Sequence, residues 1–499
     1  MNYVDPKVLI ERIYDRELGF RPSNFSVKPV HVANGLARSL IRRTYDAHAL
    51  TEMLRRYVTN QTLGVDEERN PNRLILEKYG DAFESLKGGA PDTDRLTRLR
   101  TLTLDALAAD DAVFPTQQSF TLANERFVTG DPSDYRTGRF LARLLTSQPV
   151  ERTDAADYIR ELLQSENDAW TTLGLPLLQY GEARDEAVDG EAATRAELAE
   201  HLFTSNGNEL ESSTLKHLRN AYDRLARYER QTGSKLNSLR RLMLFGCFAI
   251  HVHAISRWSE IDVDAPRPPI FVDMFDGTLP SVRDASRASL QAAASTLEGL
   301  ARLRVREHVV AEYGDNEQAI DAATFQTPEA EWLGEFYRRN LEGGADGIEA
   351  MVRAITVDGF EKFGGHPIGF FTELGRRAGF LVPWANQGRG GKLQKRYTAT
   401  AEFLEMLIAA TVEPDAPLEF PEFLDRLRDE FGILVGRTQD IHAIGCNNLR
   451  GAQFGPLTAI NEEDLRLNVL ELRNLVVETG YAKSYADGVT MVTTRPEGR

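Results

Sequence analysis

The sequence predicts a mainly α-helical protein, with helical N-terminal domains followed by tandem winged-helix units, each combining helices with a small β-hairpin. Three observations carry that prediction. Apolar residues recur at helical spacing through roughly the first 340 positions. Strand-like runs in that part are few and short. Past a glycine-rich joint, "NLEGGADG" (Asn340 to Gly347), short amphipathic helices alternate with pairs of strand-like segments.

The helices come first. In "ARSLIRRTYDAHALTEMLRRYV", Leu40, Ile41, Tyr45, Leu50, Met53, Leu54 and Val58 follow a helical stripe. Similar patterns recur in "LTRLRTLTLDALAA", "TGRFLARLLTS", "DAADYIRELLQS" and "LKHLRNAYDRLARYERQ". The segment "LNSLRRLMLFGCFAIHVHAISRW" is apolar on most sides, which predicts a central, buried helix. "PPIFVDMF" is the clearest strand in this part, and no repeat of fixed period is visible, which removes a solenoid. The stretch "YGEARDEAVDGEAATRAE" (Tyr180 to Glu197) is acidic and poor in large apolar groups, as a linker is. The expected domains are a helical one over 1–180, a second over 196–345 built on the buried helix, a winged-helix-like unit over 346–400 with a basic wing, and another over 401–499.

In the first C-terminal unit, "GIEAMVRAITVDGFEKF" reads as a helix with a break at Gly359. "GHPIGFFTELGRRAG" is a short amphipathic helix closed by Gly379 as a C-cap. "FLVPW" and "KRYTAT" are two strands joined by a basic, Gly-rich loop. A helix followed by such a hairpin is a variant of helix-turn-helix docking, with the hairpin touching the backbone beside the groove. In the second unit, "TATAEFLEMLIAATV" and "FPEFLDRLRDEFG" are helices, "ILVG" is a short strand, and 437–460 is irregular. "NEEDLRLNVLELRNLVVETG" opens on Asn461 as N-cap, with acids in its first turn, and closes at Gly480. "YAKSYADGVTMVTT" is a hairpin with Asp487-Gly488 at its turn.

Composition narrows the function classes. Hydrophobic content of 42% and charged content of 27% are ordinary for globular protein, and 499 residues exceed one ordinary core. No apolar run approaches the ~18–20 residues of a membrane span, and the charged N-terminus lacks a signal-peptide core. The two cysteines, Cys247 and Cys446, fit a reducing compartment. A cytoplasmic protein with no membrane partner is therefore expected. Only ten of the 59 basic residues are lysine, and the 49 arginines with acid excess suit a GC-rich genome, that of a salt-adapted archaeon or an actinobacterium.

A formal net charge of -16 excludes DNA binding by the whole surface, so any contact with DNA must be local. The chain has one place for it. "LGRRAGFLVPWANQGRGGKLQKRYTATA" (Leu374 to Ala401) carries Arg376, Arg377, Arg389, Lys392, Lys395 and Arg396 and no acid. These six are the candidate DNA-binding residues: arginines at a helix end plus a wing that flanks a groove. Gly388, Gly390 and Gly391 let the backbone approach phosphates, while Trp384 and Tyr397 stack on bases or pack beneath the hairpin. The alternative is a solvated loop, or one docked on an acidic surface of another domain or subunit. The helix of the second unit begins Glu462, Glu463, Asp464, which repel phosphate and point that unit toward protein contact. Double-stranded DNA, met locally, and other proteins are thus the expected partners.

Catalytic motifs fail on spacing. "IFVDMFDGTLP" suggests a phosphatase nucleophile motif, Asp-x-Asp-Gly-Thr. Asp273 stands three positions before Asp276 and Met274 two before, so the two carboxylates miss one site and a turn after a short strand is expected. "GRGGK" lacks the P-loop glycine, Asn386 standing in its place, and Leu393 follows Lys392 where Ser or Thr is needed. The nuclease spacing Asp/Glu-x-Lys occurs only at Asp5-Pro6-Lys7. Cys247 and His251 share a helix face, but His253 points roughly 200° away, so core packing is expected before zinc ligation. No Gly-x-Ser-x-Gly elbow nominates a nucleophile. No catalytic residue, metal or cofactor is assigned. A winged-helix transcriptional regulator and an enzyme of unfamiliar helical fold, using Asp273, Asp276, His251 or His253, stay open.

"KRYTATAEFLEMLIAATV", "FPEFLDRLRDEFGILVG" and "ETGYAKSYADGVTMV" together resemble the tails of helical accessory proteins from prokaryotic anti-phage defence islands. The resemblance covers about a fifth of the chain. It implies a non-catalytic, DNA-sensing or scaffolding role in a multi-protein system.

Overall fold

A computed structural model describes residues 5–22, 27–45, 124–128, 130, 133–146, 154–165, 183–185, 202, 212–265, 267–314, 316, 318–320, 331–360, 368–382, 395–437, 439–440 and 460–494. The described chain is mainly helical, as its periodicity predicts. Helix α1 (Pro6–Glu17) starts at Asp5, whose carboxylate accepts from the Lys7 amide and so satisfies one orphan donor. Helix α2 (Pro29–Ile41) ends where Arg42 turns left-handed (φ 56). The chain then forms strand β1 (Arg43–Tyr45), antiparallel to β2 (Ala183–Asp185). The helical stripe predicted to run to Val58 is therefore helix only as far as Ile41, and 46–58 lie outside the described residues. So does "LTRLRTLTLDALAA". Within the acidic stretch read as a linker, the described part is strand β2.

Helices α3 (Thr137–Thr146) and α4 (Asp154–Gln164) follow their predicted stripes. Helices α2 and α3 cross backbone to backbone. A Cβ on Gly138 would stand 2.1 Å from the carbonyl carbon of Gly35, so only glycine allows that approach.

Helix α5 (Ser213–Thr232) leads into α6 (Lys235–Ile261), the predicted central helix. Its span Asn237–Ile261 is long and apolar enough to cross a membrane, yet 89% of its most apolar window is buried inside the protein. It is a core helix. One cluster of buried apolar side chains runs from Leu9 to Val492, with the α6 residues among its members. Phe248, at the centre of α6, meets Phe380, Phe403 and Phe431 edge-on at 5.4, 5.2 and 5.7 Å, which ties α6 to the segments around 380, 403 and 431. Near the N-terminus the buried Glu17 carboxylate faces Arg257 (3.2 Å) and Arg304 (2.9 Å), the partners a charge in the interior requires.

After β3 (Ile270–Phe271) come α7 (Pro280–Tyr313), α8 (Glu331–Glu342) and α9 (Gly347–Arg353). The break expected at Gly359 is instead a π-helical turn over Ala354–Asp358, and Gly359 keeps helical angles. Helix α10 (Ile368–Ala378) stops at Gly379, left-handed at φ 85. Then follow α11 (Ala401–Thr411), β4 (Leu418–Glu419), α12 (Phe420–Phe431), β5 (Ile433–Leu434), α13 (Glu462–Glu478), β6 (Ala482–Ser484) and β7 (Thr490–Val492).

Strand β7 is central in an antiparallel sheet of order β4-β7-β6, pairing Leu418 and Ala482 on either side of Val492. Strand β5 does not join it. Its two residues, buried on both faces, pair in parallel with β3, Ile270 opposite Ile433 and Phe271 opposite Leu434. Unbroken apolar character, rather than alternation, is what a strand covered on both sides needs.

Candidate functional site

Of the residues singled out in the sequence, Asp273, Asp276, Arg396 and Tyr397 meet at one junction, the segment from Ile270 to Gly277. On one side it takes β5 through the bonds Ile270 N to Gly432 O (2.8 Å) and Val272 N to Leu434 O (2.9 Å). On the other, the Asp273 amide donates to Tyr397 O (3.1 Å), on the return arm of the basic hairpin. The segment then turns: the Phe275 amide donates to Asp273 Oδ1 (2.9 Å), and Asp276 and Gly277 both adopt left-handed angles. The expected turn after a short strand is therefore present.

The hairpin stem flanks 383–394, which lie outside the described residues and include Arg389 and Lys392. Leu381 bridges Tyr397 in antiparallel sense, with Val382 N donating to Arg396 O (3.0 Å) and Thr398 N to Phe380 O (3.0 Å). Lys395 stands half-buried at the stem. At the end of α10, Arg376 donates to Glu373 (3.1 Å) with 24% of its side chain exposed. Arg377, only 11% exposed, leans on the same carboxylate at 3.9 Å.

Arg396, expected among the six DNA-binding residues, is instead buried in an ion pair. Its side chain is 7% exposed, with Nε 2.7 Å from Asp273 Oδ2 and a terminal nitrogen 2.8 Å from Asp276 Oδ1. A guanidinium buried between two carboxylates has no face left for phosphate. The Asp273 and Asp276 pair, rejected as a nucleophile motif, thus serves to hold this arginine. Tyr397 packs beneath the hairpin, fully buried.

The histidines are structural as well. Nε2 of His251 lies 2.8 Å from the Tyr397 hydroxyl, and Nε2 of His253 donates to Leu18 O (3.2 Å). Burial holds both imidazoles down at a pKa of about 3, helped at His253 by the Arg257 charge, so both are neutral at pH 7. Burial likewise pushes the Cys247 thiol up, which leaves it unreactive. Cys446 lies outside the described residues. No group of three or more His, Cys, Asp or Glu able to hold a metal occurs among the described residues.

Helix α13 is docked by its inner face. Leu465 packs with Phe271, Val282 and Leu434. Asn468, fully buried, donates to Val272 O and Val435 O and accepts from the Met274 amide, each at 2.8 Å. Ser281, in the first turn of α7, donates to Asp464 (2.5 Å). Glu462 and Glu463 stay exposed at the helix start, where the dipole favours them and DNA would not. The sequence reading missed Asn468, though a signal existed. With Leu465, Leu472 and Val476 it lies on the buried stripe of α13, and a polar residue there must be hydrogen-bonded.

A polar pocket of about 540 Å³ opens between α6 and α11, lined by Arg240, Arg241, Glu402, Glu405, Thr479 and Tyr481. Its charges neutralise one another: Arg240 pairs with Glu402 (2.8 Å) and Arg241 with both Glu405 and the buried Glu229 (2.9 Å). Tyr481 donates to Glu405 and meets the Tyr228 hydroxyl at 3.1 Å. The arrangement is a polar seam that joins α5 and α6 to α11 and Tyr481. Compared with known proteins, the chain matches no family model, no curated protein and no solved structure.

Proposed function

We propose that this chain is a non-catalytic DNA-binding and scaffolding component of a multi-protein prokaryotic system, of the kind found in anti-phage defence. It meets double-stranded DNA locally, through Arg376, Arg389, Lys392 and Lys395, and holds protein partners through its second C-terminal unit. The observation that carries this reading is the element order across 401–492. Among the described residues, helix α11, strand β4, helix α12, strand β5, helix α13 and the β6–β7 hairpin follow in turn, with β4 paired to β7. We read that order as winged-helix-like, akin to the helix-turn-helix modules that dock on duplex DNA, with β5 drawn away to pair with β3.

The two units take different roles on electrostatic grounds. The acids at the start of α13 repel phosphate, and its inner face is occupied by the body, which suits protein contact. Around the first hairpin no acid intervenes in sequence between Leu374 and Ala401. Localised cations on an acidic protein bind a polyanion by releasing its counterions there alone. The test is titration of the full chain into a fluorescently labelled duplex. Binding that is lost when Arg376, Arg389, Lys392 and Lys395 are all changed to Ala supports the reading, and binding that persists unchanged rejects it.

A further inference from the structure

We infer that Asp273 and Arg396 are positioning residues of the DNA-contact surface, their buried ion pair fixing the base of the basic hairpin against the body. The inference rests on reading the island as the DNA contact. Arg396 sits next to the half-buried Lys395 in sequence, and its own side chain is buried. Its planar fork matches two carboxylates from one turn, Asp273, which is fully buried, and Asp276, 92% exposed. The turn is built flush against it. Gly277 has φ +79, and a Cβ there would come within 2.9 Å of the Arg396 terminal nitrogen.

The next two residues are gripped from three further directions. Tyr397 O accepts from the Asp273 amide and from Ser286 of α7 (3.0 Å), its hydroxyl meets His251 of α6, and Thr398 donates to Asp273 O (3.2 Å). The outgoing arm at 380–382 pairs to this fixed strand, and it continues directly from α10. Lys395 and Arg376 are thereby held to one frame. A buried ion pair is a poor stabiliser compared with apolar packing, and its better-attested use is to specify one geometry.

A contact role and a positioning role for Arg396 give different salt dependence. Losing a phosphate contact lowers the slope of log K against log[salt] by about 0.9, whereas misplacing contacts that still form lowers affinity at constant slope. The experiment measures duplex binding by the full chain for wild type, Asp273→Asn, Arg396→Met and the double variant. Each single variant is expected to weaken binding about tenfold at unchanged slope, and the double variant no further, because both act on one interaction. A DNA-independent arm follows tryptic cleavage after Lys395, expected to quicken in both single variants while the thermal midpoint still reports a folded chain. If Asp273→Asn fails to fold, Asp276→Asn perturbs the same fork from its exposed side. Absent DNA binding by wild type with quickened cleavage in the variants would overturn the DNA reading and keep the latch. Unchanged cleavage, additive losses, or a slope that falls in Arg396→Met alone would overturn the inference.

Discussion

Asn468 carries the sharpest stability prediction. It is buried and makes three bonds of 2.8 Å, to Val272 O, Val435 O and the Met274 amide. Asn468→Leu keeps the size and removes all three. Val272 and Val435 are themselves buried, so their carbonyls find no water, at a cost of about 1–2 kcal/mol each. The amide of the half-buried Met274 adds roughly 0.5–1 kcal/mol. Burying a leucine side chain returns about 1.5–3 kcal/mol, which leaves a net loss of roughly 1–2 kcal/mol. Urea unfolding of the two proteins measures this as a lower midpoint at unchanged slope. Amide exchange adds a local check, with protection lost first at Met274. A leucine variant as stable as wild type, or unaltered exchange at Met274, would refute the claim that Asn468 clasps α13 to the junction.

Three further outcomes follow from the core and its titrating groups. Phe248→Ala removes the ring shared by Phe380, Phe403 and Phe431 and should cost about 3–5 kcal/mol by urea unfolding; a loss under about 1 kcal/mol would show that the site collapses freely. Gly138→Ala forces a methyl onto the α2 backbone and should cost about 1–3 kcal/mol or more, read from the thermal midpoint, whereas a neutral result would deny the close crossing. His251 and His253 titrate near 3 when folded and near 6.5 when unfolded, so the unfolded chain binds more protons between those values. Stability therefore rises with pH across that window and is lost on acidification, by up to about 1.4 kcal/mol per pH unit for each histidine. His251→Gln should flatten the profile of urea midpoint against pH below about 6.5, and a profile parallel to wild type would contradict a buried neutral imidazole.

Much of the fold was legible because periodicity is local. The stripes of α3, α4, α5 and α11, the buried character of α6, the Asn461 cap and the Asp487-Gly488 turn each follow from neighbours within a turn or two. The parallel pairing of β3 with β5 was not legible, since it joins residues more than 160 positions apart and two apolar residues name no partner. The same distance hid Arg396. "KRYTAT" reads as a strand opening on two cations, and only the return of Asp273 from 123 positions earlier in the chain turns the second of them inward. Asp273 and Asp276 were noticed for the wrong chemistry. Their spacing ruled out a shared nucleophile site, yet it suits two carboxylates that close on one guanidinium from a single turn.

The most direct test of the central claim is the salt dependence of duplex binding by the full chain. Four phosphate contacts, from Arg376, Arg389, Lys392 and Lys395, predict a slope of log K against log[salt] of about -3 to -4. Changing Lys395 alone to Ala should lower its magnitude by about 1 and weaken binding similarly on every duplex sequence. A wild-type chain that binds no duplex at low salt, or a slope untouched when all four cations are removed, would contradict the claim that this acidic protein meets DNA at its basic hairpin.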